Sequence, residues 1–330
     1  MEQNSVAIKI IATGIALPET RVTSDQLDIQ LGKPKGYVEK RSGITWRYHA
    51  TPQASQAELA ASALHNALTA ADLSPSSVDL VICACAVAIQ ALPCSAVHIL
   101  RAAAMPSGVA GFDINSSCVS FISAMEVAAG LLNSRAYRRI AIVSADLASR
   151  GIDWNHEESS LIFGDGAACA IVERGDGQSK ILASLIETWP EGSELCEIKA
   201  GGTRRNPRSG ICDSDFLFHM QAKPLFRYAS SLIEDYFARL LHKSGVTLAD
   251  IGTVIPHQAS HLSLKHMRKR LQVPESVLID IYRYYGNQVA ASIPTALHEA
   301  ITGNRLPPGK PAMLIGTAAG LTLAGMVLIP

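Results

Sequence analysis

Gly111-Phe112-Asp113-Ile114-Asn115-Ser116-Ser117-Cys118-Val119-Ser120-Phe121 joins two periodicities. Its left half is a short apolar run of strand type, whereas Ile122, Met125, Ala128, Leu131 and Leu132 recur at helical spacing. Cys118 therefore falls at a strand-to-helix junction, where unpaired N–H groups and the positive end of a helix dipole meet a side chain. A thiol so placed is expected to ionise easily and act as a nucleophile. The alternative on this segment alone is a small buried hydrophobe, the usual fate of a free cysteine.

The same order of elements occurs twice. Val78–Ala84 reads as a strand, Ala96–Ala104 as a helix, then Phe112–Asn115, Cys118 and its helix, then strands at Arg139–Ser144 and Gly166–Glu173. In the second half Ile251–Pro256 reads as a strand, Leu262–Leu271 as a helix and Val277–Ile281 as a strand. Gly286-Asn287, a helix over Ala291–Ile301 and strands at Pro311–Gly316 and Leu321–Ile329 follow. Alternating strands and helices predict an α/β fold with mainly parallel pairing. Two copies predict two pseudo-twofold-related halves, 1–175 and 176–330, with the loops at the strand ends meeting in one place. The polar stretch Ser24–Glu58 and the irregular Glu187–Pro224 read as insertions, and long ordered loops are often functional.

Composition narrows the function classes. The 330 residues carry 29 basic and 29 acidic side chains, which gives no bulk attraction to nucleic acid or to an anionic membrane. With 18% charged residues, part of the surface is expected to be covered in an oligomer. Seven cysteines without Cys-x-x-Cys spacing indicate a reduced, cytoplasmic protein. Cys83 and Cys85 alternate onto one face of a strand as core. Val6–Ala16 reads as a first strand rather than a signal peptide, and no apolar run is long enough to span a bilayer.

Three loops stand out by position: those of Cys118, His257 and Asn287. His257 follows Pro256 at a strand end, where an imidazole either takes or donates a proton beside a thiol or is merely structural. Asn287 lies in the stretch Tyr285–Pro294, which occupies the same place in the second copy as Cys118 in the first; it is either a helix N-cap or a neutral donor to a carbonyl oxygen that gains charge. The small-residue turn Gly316-Thr317-Ala318-Ala319-Gly320 lets backbone approach a ligand closely, so the amides of Cys118 and Ala319 could form an oxyanion hole; a tight hairpin needs the same residues. Phe163-Gly164-Asp165-Gly166 reads as a structural turn. A metal centre on His257, His261 and His266 lacks an acidic or cysteine ligand, and no metal is expected.

With Asp113…Cys118, Phe163-Gly164-Asp165-Gly166-Ala167, Pro256-His257-Gln258-Ala259, Gly286-Asn287, Ala290-Ala291-Ser292-Ile293-Pro294 and Gly320-Leu321-Thr322 in this order, the chain resembles the ketoacyl-[acyl carrier protein] synthase III family of the thiolase superfamily. The resemblance implies a five-layered αβαβα fold, a homodimer and a Cys-His-Asn site at the end of a narrow tunnel. It implies that Cys118 takes an acyl group from acyl-CoA or an acyl-carrier protein. His257 and Asn287 would then hold malonyl-acyl carrier protein while it loses carbon dioxide and condenses, giving a 3-oxoacyl product for fatty acid biosynthesis or a related pathway. No cofactor is needed. A non-decarboxylating acyl transfer to another nucleophile in a secondary-metabolite pathway is the alternative.

For carrier or coenzyme A binding the resemblance marks Tyr37, Arg41, Met220, Phe226, Ala259, Ser260 and the run Arg268-Lys269-Arg270, and for the acyl pocket Leu92. Several positions depart from the family pattern. Tyr37 replaces a tryptophan and Glu157 an arginine, both expected to sandwich adenine; Ser260 replaces an asparagine, Leu262 a basic residue and Leu92 a phenylalanine. A carboxylate at 157 repels phosphate, so coenzyme A recognition is expected to be altered, and a smaller Leu92 is expected to admit primers longer than acetyl.

Overall fold

The computed structural model describes residues 5–330. Two five-stranded sheets form its frame. The first runs Lys9–Ala16, Gly166–Glu173, Arg139–Asp146, Leu80–Cys83, Ala110–Asp113; the second runs Val6–Ala7, Lys180–Thr188, Thr322–Ile329, Ala312–Ala318, Thr253–Pro256. In the first sheet two antiparallel pairings are followed by two parallel ones. The second repeats this from Lys180–Thr188 onward, through two antiparallel pairings and one parallel.

The repeat breaks at the sheet edges. Val277–Ile281 does not form the expected strand: a 3-10 turn occupies Glu275–Val277, and only a parallel bridge from Val254 to Leu278 marks the fifth position. The expected first strand is also split, because Val6–Ala7 pairs with Lys180–Ile181 in the second sheet while Lys9–Ala16 joins the first.

Strand alternation explains the layering. Ile82, Ile140 and Ile142 of the first sheet and Ile255, Leu314 and Met326 of the second point into one shared core. Between them lie two helices, Ser120–Asn133 through Phe121, Ile122 and Met125, and Ser292–Thr302 through Ile293, Ala296 and Leu297. The intervening residues Val81, Cys83, Ala141 and Val143 face outward onto the helices Gln56–Ala70 and Ser95–Ala102. On the far side Val254, Met313 and Ile315 meet Ile233, Tyr236 and Leu240 of the helix Ala222–Ser244. This is a five-layered αβαβα sandwich. Both faces of each sheet are covered, which is why the central strands read as unbroken apolar runs. Each large apolar side chain buried in the middle layer contributes about 1.5–3 kcal/mol. Cys83 and Cys85 share the outer face as expected, with their sulfurs 3.2 Å apart.

Candidate active site

Cys118 and Asn287 lie on turns of the same construction. Asn115 Oδ1 accepts from Ser117 N at 2.8 Å, as Asn287 Oδ1 accepts from Val289 N at 2.8 Å. Ser120 Oγ accepts from Ser116 N at 2.9 Å, as Ser292 Oγ accepts from Gln288 N at 3.0 Å. Asn115 Nδ2 donates to Ala86 O at 2.9 Å and Asn287 Nδ2 to Ala259 O at 3.3 Å. Ser117 and Val289 both take left-handed φ, 52° and 53°. The structural twin of Asn287 is therefore Asn115, and that of Cys118 is Ala290. The stretch around Asn287 thus occupies the place of the Cys118 turn, and the equivalent turns carry their candidate side chains at different steps.

The end of the Ala312–Ala318 strand links the sites. The backbone N–H groups of Ala319 and of Cys118 itself lie near enough to the Cys118 sulfur to favour its ionised form. Four residues before Ala319, Ile315 O accepts from His257 N at 2.8 Å. Gly316 lies between the two groups: a Cβ there would stand 2.9 Å from His257 Cβ and 3.0 Å from Val119 Cγ1. Asn287 is joined to the His257 loop through Ala259 O. It is joined to the first half by Asn287 N to Ile162 O at 2.8 Å and Gly164 N to Asn287 O at 3.0 Å. That approach needs glycine on both sides. A Cβ on Gly164 would fall 2.0 Å from Tyr285 O, and Gly286, at φ +67°, would place one 2.9 Å from Ile162 O.

The electrostatics differ from the expectation of an acidic thiol. Burial pushes the Cys118 thiol well above its ordinary value, reinforced by Cys196 and Asp146, and the two backbone N–H groups only partly offset this. The physical reason is that the sulfur is withdrawn from water, which penalises the thiolate more than the nearby N–H groups favour it. Burial lowers His257 to about 4, so its imidazole is neutral at neutral pH. Its Nδ1 is buried with no hydrogen-bond partner among the described residues. Asn287 is 6% exposed, and Ala259 takes one of its two amide hydrogens. The thiol with its two nearby N–H groups and the neutral imidazole thus flank the end of the Ala312–Ala318 strand, and the Asn287 carboxamide is tied to the histidine's loop.

Profiles described as 3-oxoacyl-[acyl-carrier-protein (ACP)] synthase III and its C-terminal part match residues 112–190 and 241–329. Beta-ketoacyl-[acyl-carrier-protein] synthase III of Aquifex aeolicus is 31% identical over 97% of this chain and 98% of its own. The chain belongs to the 3-oxoacyl-[acyl-carrier-protein] synthase III family. Its Roseiflexus castenholzii member is 30% identical, covering 97% of each chain. The crystal structure of the Aquifex aeolicus synthase superposes with a TM-score of 0.88 at 29% identity, covering 98% of this chain and all of the other.

Within this family member, the residues expected at a tunnel entrance are only partly assembled for ligand. Tyr37 Oη donates to Glu157 Oε2 at 2.8 Å, Arg41 lies 4.0 Å from the same oxygen, and Lys33 pairs with Oε1. Lys33 and Arg41 also sit over the Tyr37 ring, at 5.1 and 5.9 Å. The Lys33 and Tyr37 hydrogen bonds hold the Glu157 carboxyl below its usual range. The His156 and His219 rings, 6.3 Å apart, bring the His219–Met220 strand beside this cluster. Lys33 carries no spacing signal in the sequence, and only the fold shows its role.

The basic run is not free as expected. Arg268 pairs with Glu275 at 3.4 Å and Arg270 with Glu234 at 2.9 Å, because helical geometry turns both toward acidic neighbours. Ser260 caps that helix, accepting from Ser263 N at 3.1 Å, while Leu262 is 69% exposed. Phe226 packs edge-on against His266 at 4.6 Å and His261 packs on Gly43, so neither histidine joins His257. Leu92 is 84% exposed, on the loop that leads into Ser95–Ala102. Asp113 and Asp165 are structural. Asp113 accepts from Ser95 N and Ala96 N at 2.7 and 2.8 Å, and Asp165 from Ala50 N and Ser149 N, both at 2.7 Å. Among the described residues no helix is long and apolar enough to cross a membrane.

Proposed function

We propose that this chain is a decarboxylating condensing acyltransferase with Cys118, His257 and Asn287 as its catalytic residues. The observation that carries the reading is the convergence at the Ala312–Ala318 strand end of a thiol under two backbone N–H groups with a neutral imidazole and a carboxamide. Cys118 sulfur attacks the donor thioester; the acyl group moves to it, and the donor sulfur leaves with the thiol proton. The tetrahedral oxyanion is held by the Cys118 and Ala319 N–H groups. A malonyl thioester on a carrier protein then places its carbonyl oxygen at His257 and at the free amide hydrogen of Asn287. Loss of carbon dioxide leaves an enolate there, whose carbon attacks the acyl-cysteine and releases the Cys118 thiolate. Neutral donors suit an enolate because neither competes for the proton.

The Glu157 cluster favours a carrier-bound donor over coenzyme A. Its carboxylate pairs with Lys33, offsets part of the Arg41 charge and engages the Tyr37 hydroxyl, leaving less positive charge for phosphate. Met220, Phe226, Ala259, Ser260 and Lys269 are retained as carrier contacts, with Arg268 and Arg270 secondary to their ion pairs. Exposed Val87, Leu92 and Val97 form an apolar stretch that a second copy would cover in a homodimer.

Intact-mass measurement after incubation with a panel of acyl-CoA and acyl-carrier donors tests the loading step, with Cys118→Ala as control. Carbon dioxide release from malonyl-carrier protein tests the second step. Loading without release would establish simple acyl transfer instead.

A further inference from the structure

Asp146 ends the Arg139–Asp146 strand and is 1% exposed. Its Oδ1 accepts from Ala86 N at 3.1 Å and Val87 N at 3.0 Å; its Oδ2 accepts from Ala86 N at 3.2 Å and Ala290 N at 3.1 Å. The first two donors belong to the loop that Asn115 Nδ2 ties to the Cys118 turn. The third is the twin of the Cys118 N–H. In the second half that twin amide is taken up by a carboxylate, whereas in the first half it faces the Cys118 sulfur.

We propose that Asp146 is a positioning residue for the condensation, one carboxylate pinning the Asn287 turn to the Cys118 side of the site. The proposal rests on the decarboxylating role given above to Asn287. Three N–H groups converge on two oxygens, an arrangement best matched by the ionised carboxylate, which only accepts. A proton on either oxygen weakens its acceptance and adds a donor, and an amide in its place turns one acceptor into a donor facing an N–H. The groups that face Asp146 are Asp165, Cys85 and Cys118, none of them cationic. Burial accordingly raises its carboxyl to about 7, against the three hydrogen bonds that lower it. The carboxylate is thus held for its geometry at a cost in solvation.

Asp146→Asn tests this, with Asn287→Ala alongside. In saturating malonyl-carrier protein, Asp146→Asn is expected to slow carbon dioxide release about tenfold or more. Acylation of Cys118 by intact mass is expected to be unchanged or faster, since removing the charge eases thiol ionisation. The wild-type release rate should fall as pH drops from about 8 to 6, and the variant should be flat there. Release unaffected by Asp146→Asn, or both half-reactions falling together with the melting temperature, would overturn the proposal. If the variant does not fold, a wild-type release rate that is flat over the same range overturns it. Decarboxylation surviving Asn287→Ala would instead refute the role of Asn287 itself.

Discussion

Gly316→Ala is the sharpest probe of the site. The new methyl would stand 2.9 Å from His257 Cβ, 3.0 Å from Val119 Cγ1 and 3.4 Å from Ile293 Cδ1. Carbon atoms in contact prefer about 3.5–4.0 Å, so His257 and Val119 must separate by roughly half an ångström or more. His257 cannot yield by a side-chain rotation, because a Cβ moves only with its backbone, and Val119 Cγ1 can move only by leaving its rotamer in the packed core. Overpacking of this kind costs about 1–3 kcal/mol of stability. The catalytic cost is larger, since a misplacement near 1 Å can cost on the order of a hundredfold. Carbon dioxide release is therefore expected to fall about ten- to a hundredfold, with a lowered melting temperature and a soluble, loadable protein. Stopped assays of release and intact-mass assays of loading separate the two steps. Wild-type release with an unchanged melting temperature would refute the placement of His257 against the Cys118 segment.

Glu157→Arg should free Tyr37 and add positive charge, lowering KM for acyl-CoA by about threefold to tenfold without changing kcat for carrier donors; steady-state kinetics with both donors decides this. Ser292→Ala removes one turn hydrogen bond and Ser120→Ala that bond together with the donation to Ser117 O at 2.7 Å, at about 1 kcal/mol per bond in chemical denaturation, and the latter should impair loading while the former impairs carbon dioxide release. His257, lowered from 6.5 to about 4, gives stability that is full above about pH 6.5 and lost as pH falls toward 4, up to about 3 kcal/mol. Acid unfolding of wild type against His257→Asn should show that difference. The comparison is needed because Asp146, raised from 3.8 to about 7, contributes the opposite slope in that window.

The sequence by itself determined a twice-repeated alternation of strands and helices around Cys118, because period-two and helical spacing follow from local geometry. Cys118, His257 and Asn287 were legible as candidates from their places on the loops at the strand ends of that repeat and from the family resemblance. What only tertiary structure decided depends on distant chain segments meeting. The equivalence of Cys118 with Ala290, and of Asn287 with Asn115, became visible only through matching hydrogen bonds. Lys33 and Glu157 lie far apart in sequence yet form one ion pair beside Arg41 and Tyr37. Asp146 carries one weak signal, a lone carboxylate closing the apolar run Ile140–Ala145, and its partners come from both halves. The Cys118 thiol is harder to ionise than its place before a helix suggests, because desolvation depends on everything packed around the sulfur and the helix dipole reaches only the first turn.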